Sequence, residues 1–199
     1  MRTTAGETRF AAGAAFLAGV AWVLWAVMNA RTHGGLDVGA AAVGERLARA
    51  GALLMVGWNL LLIPAALVLY ASLVDGHPFR VRLATACGLA SLLFWAYGGA
   101  THGITPGLEV SYLVLSAVWW CGIGVTLWPS NKLFGGLTIA LGVFAFWDAL
   151  LTAFEPVPFA LYLTAAPKLP VSILWDFALG YFLIRRVAVP TTQLSTGAI

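Results

Sequence analysis

The chain has 199 residues, of which 61% are hydrophobic and only 10% charged, and its mean hydropathy is +0.90. Those values exclude an ordinary soluble globular domain and place it among multi-span membrane proteins. Its net charge of +3 is spread without any dense basic cluster. This argues against a nucleic-acid partner and leaves Lys and Arg to set membrane topology.

Six apolar runs, at roughly 10–29, 50–74, 83–103, 109–128, 133–154 and 169–185, predict transmembrane helices. Each is long enough, or nearly so, to cross about 30 Å of hydrocarbon at 1.5 Å per residue. In lipid the backbone has no water to bond, so such runs are helical. The expectation is an all-α, polytopic six-helix bundle forming one domain over residues 1–199.

The first run follows Arg2 and Arg9 as a signal peptide would, but its length suits a retained spanning helix. The second carries Trp58, Asn59 and Pro64, and is preceded by GLDVGAAAVGERLARAG, an expected interfacial turn or helix. The third ends in GGATHG, with His102 at its outer mouth as a solvated helix end or a proton relay. Glu109 opens the fourth, and the turn WPSNK closes it with Trp128 as an interface anchor. In the fifth, Gly135, Gly136 and Gly142 favour close helix packing. The sixth is the shortest, bounded by Pro167 and Pro170 before it and by Arg185 and Arg186 after it. The last residues, TTQLSTGAI, read as a polar tail.

With the N-terminus cytoplasmic, seven Lys and Arg residues fall on inside segments and four on outside segments. Both termini are therefore expected inside a cell membrane. No internal repeat is visible. Cys87 and Cys121 lie within apolar runs without a CxxC, which reads as packing and not redox chemistry. His33, His77 and His102 sit at or beyond run ends, which disfavours bound haem.

Two tryptophan–aspartate pairs stand where charge is least welcome, in AFWDALLTAFE (Trp147, Asp148) and SILWDFALGYFLIRR (Trp175, Asp176). Counting residues from the expected outer ends puts both acids about 10 Å deep, level with each other and just above Asn59. Glu109 lies at the outer surface, and Glu155 two turns from Asp148 on the same face. Trp58, Trp95, Trp147 and Trp175 fall in the same layer, and Trp119 and Trp120 somewhat deeper. Those indoles lie too deep for an interfacial belt, and their N–H groups need acceptors. No Lys or Arg stands inside the runs beside either aspartate. An ionised Asp at a helix centre costs about 2.5–3.5 kcal/mol, so at least one carboxyl is expected to carry its proton at pH 7.

A neutral carboxyl aimed at an alkene or epoxide can start a carbocation cascade, with indole faces stabilising the cations. This acid-and-aromatic pattern, with the chain's size and span number, resembles the small integral-membrane terpene cyclases that make meroterpenoids and indole terpenoids. The resemblance covers the whole chain and rests on no diagnostic motif. It implies a metal-independent membrane enzyme with catalytic carboxyls at Asp148, Asp176 and Glu109. The implied substrate pocket comprises Asn59, Trp58, Trp95, Trp119, Trp147 and Trp175. No cofactor is implied; the partners are a hydrophobic small-molecule substrate and membrane lipid. The DDxxD pattern of metal-dependent prenyl cyclases is absent.

Other readings stay open. Intramembrane acids with Asn also suit proton- or cation-coupled transport. An aromatic cavity serves a non-catalytic lipid- or partner-binding protein equally well. In a purely structural reading, the acids hold helices together by hydrogen bonds.

Overall fold

In a computed structural model the described residues are 3–33, 41–101, 106–154 and 158–188, and they contain six helices and no strand. These are α1 (Ala5–His33), α2 (Ala41–Leu73), α3 (Pro78–Ala100), α4 (Pro106–Leu127), α5 (Lys132–Ala153) and α6 (Pro158–Ala188). Five of them, α1 to α5, are long and apolar enough to cross a membrane. The fold is the expected all-helical polytopic bundle. Residues 35–40 of the interfacial segment, His102, Glu155 and the polar tail lie outside the described residues.

The helix ends follow local chemistry. Thr4 and Glu7 form a reciprocal capping box before α1: the Thr4 N–H donates to Glu7 Oε2 at 2.7 Å, and the Glu7 N–H to Thr4 Oγ1 at 3.2 Å. In the turn WPSNK, Asn131 caps α5 by accepting the Phe134 N–H at 3.0 Å.

Each helix packs antiparallel to its neighbour, and α6 returns to α1, so the six close into a ring. The contacts run in opposite chain directions at every joint that side chains define. On α1 and α2, Trp22 stacks on Trp58 and Trp25 covers Gly51. On α3 and α4, Gly88 meets Trp119, and Trp95 meets Tyr112. Between α4 and α5, Gly124 and Gly135 approach each other's backbones, and Gly142 takes Cys121. That is the close packing expected of Gly135 and Gly142. Along α1 and α6, Gly19 lies under Asp176 and Phe177, and Gly180 under Phe16.

Large apolar side chains such as Leu17, Leu53, Leu93, Val143 and Leu174 point outward, while Asn59, Thr138, Asp148 and Asp176 are buried. A membrane inverts the usual polarity of exposure in this way, because lipid is as apolar as the core.

The helices start earlier than the hydropathy runs suggest, and α2 and α6 do so by more than two turns. The α2 helix begins at Ala41 instead of residue 50, and continues through Pro64 without interruption. The α6 helix begins at Pro158 instead of 169, so Pro167, Lys168 and Pro170 lie within it. The Ser172 hydroxyl donates back to the Lys168 carbonyl at 2.9 Å in this stretch. A proline forbids one intrahelical donor, but the helix passes over both.

Candidate functional site

The earlier start of α6 changes the site. Lys168, expected in an outer loop, lies ten residues inside the helix, where its ammonium forms an ion pair with Asp148 Oδ2. The expectation that neither aspartate has a basic partner is therefore corrected for Asp148. The pair is largely buried, so it is screened far less than a surface ion pair.

The same pairing corrects the depth of Asp176. Lys168 reaches the level of Asp148, and Asp176 lies eight residues further along α6, about 12 Å deeper at 1.5 Å per residue. An independent contact agrees: the Trp175 indole donates to Thr138 Oγ1 at 2.9 Å, and Thr138 is ten residues below Asp148 on α5. The two acids are thus on separate levels, because the count from Leu169 began too far down the helix.

A cavity of about 400 Å³ lies in the ring at the level of Asp148. All six helices line it. Trp22 and Trp25 come from α1, Met55 and Trp58 from α2, and Trp95 from α3. From α4 come Glu109, Tyr112, Leu113 and Trp120; from α5, Asp148 and Thr152; from α6, Lys168, Leu169 and Ser172. Five indoles and one phenol therefore form the walls. Glu109, Asp148 and Lys168 are the charged groups that line it.

The wall is ordered by ring contacts. Trp22 stacks on Trp25 at 4.6 Å and on Trp58 at 5.3 Å, and Trp95 lies 4.5 Å from Tyr112. Below it, Trp119, Trp120 and Trp175 form an edge-and-face cluster at 5.8–6.0 Å, with Phe134 and Phe182 stacked beyond. Trp120 is the member of that cluster that reaches the cavity.

Of the residues singled out in the sequence, Glu109, Asp148, Trp58 and Trp95 come together at the cavity. Asp176 is fully buried beneath it, and its Oδ2 accepts the Trp58 indole N–H at 2.8 Å. Asn59 is also buried; its amide N–H donates to the Met55 carbonyl at 2.7 Å. Trp119 and Trp175 pack in the cluster below. Trp147 is 52% exposed and faces away from the bundle interior. Gly180, one turn from Asp176 on α6, receives the Phe16 ring of α1.

Sequence counting passed over Trp22, Trp25, Tyr112 and Lys168. Trp22 and Trp25 stand one turn apart near the end of α1 that meets the start of α2. That spacing was the available signal for them. Tyr112 is one turn from Glu109 and carried the same kind of signal.

Several buried polar atoms have no hydrogen-bond partner among the described residues: Asp148 Oδ1, Asp176 Oδ1, Asn59 Oδ1, and the indole N–H groups of Trp22, Trp119 and Trp120. Of these, Asp148, Trp22 and Trp120 line the cavity. Such groups are costly to leave unmade inside a protein, at about 1–3 kcal/mol each. A cavity that keeps them has room for a molecule or for water to bond them. Among the described residues, no three His, Cys, Asp or Glu side chains converge as a metal site.

Comparison with protein-family models, with curated proteins and with solved structures returned no match. The reading of the site therefore rests on its own geometry.

Proposed function

We propose that this chain is a multi-pass membrane enzyme that takes an isoprenoid or comparable hydrophobic substrate into the six-helix cavity and protonates it from a carboxyl group. The observation that carries the reading is a cavity in which, among the described residues, five indoles and a phenol surround Glu109, Asp148 and Lys168. Ligand sites of this kind are mostly apolar, with a few convergent polar groups. The similarity to small integral-membrane terpene cyclases supports the same chemistry.

Three carboxyls were candidates for the acid, and their surroundings separate their roles. Lys168 neutralises Asp148, which suits Asp148 to orienting a polar group through its free Oδ1. Glu109 lines the cavity and makes no hydrogen bond among the described residues, which suits it to give a proton and take one back. Asp176 stands behind Trp58 and acts on the wall, not on the substrate. With both termini cytoplasmic, the cavity lies in the outer half of the membrane.

The test is to incubate membranes carrying the protein with prenylated aromatic compounds and look for isomeric, cyclised products by mass spectrometry. Product is expected with wild type and lost with Glu109→Gln. No isomer from any such substrate, or an unchanged rate in Glu109→Gln, contradicts the reading.

A further inference from the structure

We infer that the cavity selects a hydrophobic molecule with a positively charged head, a lipophilic amine or quaternary ammonium. This rests on the proposed use of the cavity as a ligand site and names the class of ligand. Two independent features point to it.

The first is charge. Among the described residues, Glu109 and Asp148 outnumber Lys168 around the cavity, and Lys168 is held by Asp148 Oδ2. Asp148 is only 9% exposed and keeps Oδ1 without a partner. An ammonium head can supply the missing positive charge, taking the place of a proton on Glu109. A carboxylate or phosphate head would add like charge to a low-dielectric space, where repulsion is strong.

The second is the wall. Aromatic faces carry negative quadrupoles, and indole is the strongest of them toward cations. Trp22 is stacked against both Trp25 and Trp58, so the lining rings left to meet a cation are Trp25, Trp58, Trp95, Tyr112 and Trp120. A purely apolar ligand gains equally from leucine, yet Leu113, Leu169 and Met55 are the only aliphatic or thioether chains among the described lining.

The experiment compares benzyltrimethylammonium with neopentylbenzene, its uncharged carbon isostere, for binding to wild-type protein in lipid nanodiscs. Tryptophan fluorescence reads binding, with empty discs correcting for partition into lipid. The cation is expected to bind at least tenfold more tightly than the isostere. Glu109→Gln is expected to remove at least tenfold of the cation's affinity and leave the isostere's unchanged. Equal affinity for the two probes, no binding of either, or equal weakening of both by Glu109→Gln overturns the inference. The wild-type comparison stands even where the variant fails to fold. Charge discrimination without cyclised product sinks the cyclase reading alone, and product without charge discrimination sinks this inference alone.

Discussion

The indole N–H of Trp58 on α2 donates to Asp176 Oδ2 on α6 at 2.8 Å, across the interior of the ring, with both side chains buried. The ring of that indole lines the cavity and stacks on Trp22, so the deepest acid of the bundle fixes the orientation of the wall above it. Hydrogen bonds to charged or strongly polar partners contribute about 1.5–3 kcal/mol, and losing one partner leaves the other buried and unpaired. Trp58→Phe should therefore lower stability in nanodiscs by about 1–3 kcal/mol. The loss should shrink in an Asp176→Leu background, where no acceptor is left behind. Asp176→Asn keeps an acceptor oxygen, so ultraviolet resonance Raman should still find a hydrogen-bonded indole there, and a weaker one in Asp176→Leu. Equal losses in both backgrounds contradict the coupling.

The ion pair between Lys168 and Asp148 makes a second cycle. Lys168→Met alone strands a largely buried carboxylate; adding Asp148→Asn removes the stranded charge. Thermal unfolding should show the double variant to be more stable than the sum of the single effects. A coupling of about 0.5–3 kcal/mol is expected for residues in direct contact. Simple additivity would mean that the two side chains do not pair.

Glycines give a steric contrast. A methyl on Gly88 would enter the Trp119 ring, which is fully enclosed. Gly57 on α2 has nothing within 4 Å of where a Cβ would lie. Gly88→Ala should cost about 1–3 kcal/mol as overpacking. Gly57→Ala should be neutral or stabilising by about 0.5–1 kcal/mol, the usual gain of Ala over Gly in a helix interior. Equal thermal stability of the two variants would contradict the packing of Trp119 on α3.

Tryptophans on the two sides of the bundle should differ in function. Trp95→Leu removes a cavity wall, whereas Trp147→Leu removes an outward-facing side chain. Product formation should fall about two- to thirtyfold in the first, the equivalent of 0.5–2 kcal/mol of cation–π attraction, and stay unchanged in the second. A loss in Trp147→Leu alone would place the reaction elsewhere.

Hydropathy made the helices legible, because hydrocarbon leaves a long apolar run few alternatives. It placed α4 and α5 closely, since their runs and their helices nearly coincide. It misplaced the start of α6, because Pro167 and Pro170 read as a stop when the helix continues through them. That one boundary hid Lys168 in a loop and shifted Asp176 upward by about two turns. Depth alone also fails to say which way a side chain points. Trp147 and Asp148 are neighbours in sequence and level in the membrane, yet about 100° of helix rotation sends one outward and the other inward. Where an indole N–H ends, as at Trp58 on Asp176, depends on how the ring closes and brings together residues 118 apart in the chain, and no local pattern encodes it.

Native mass spectrometry of protein extracted gently from membranes tests directly whether the cavity holds a small molecule. Wild type should carry a mass adduct of one hydrophobic small molecule per chain. Leu169→Trp, which fills the cavity from a half-buried position on α6, should lose the adduct while keeping its helical content by circular dichroism. Bare wild-type protein, or an adduct retained equally by the folded Leu169→Trp variant, would contradict that occupancy.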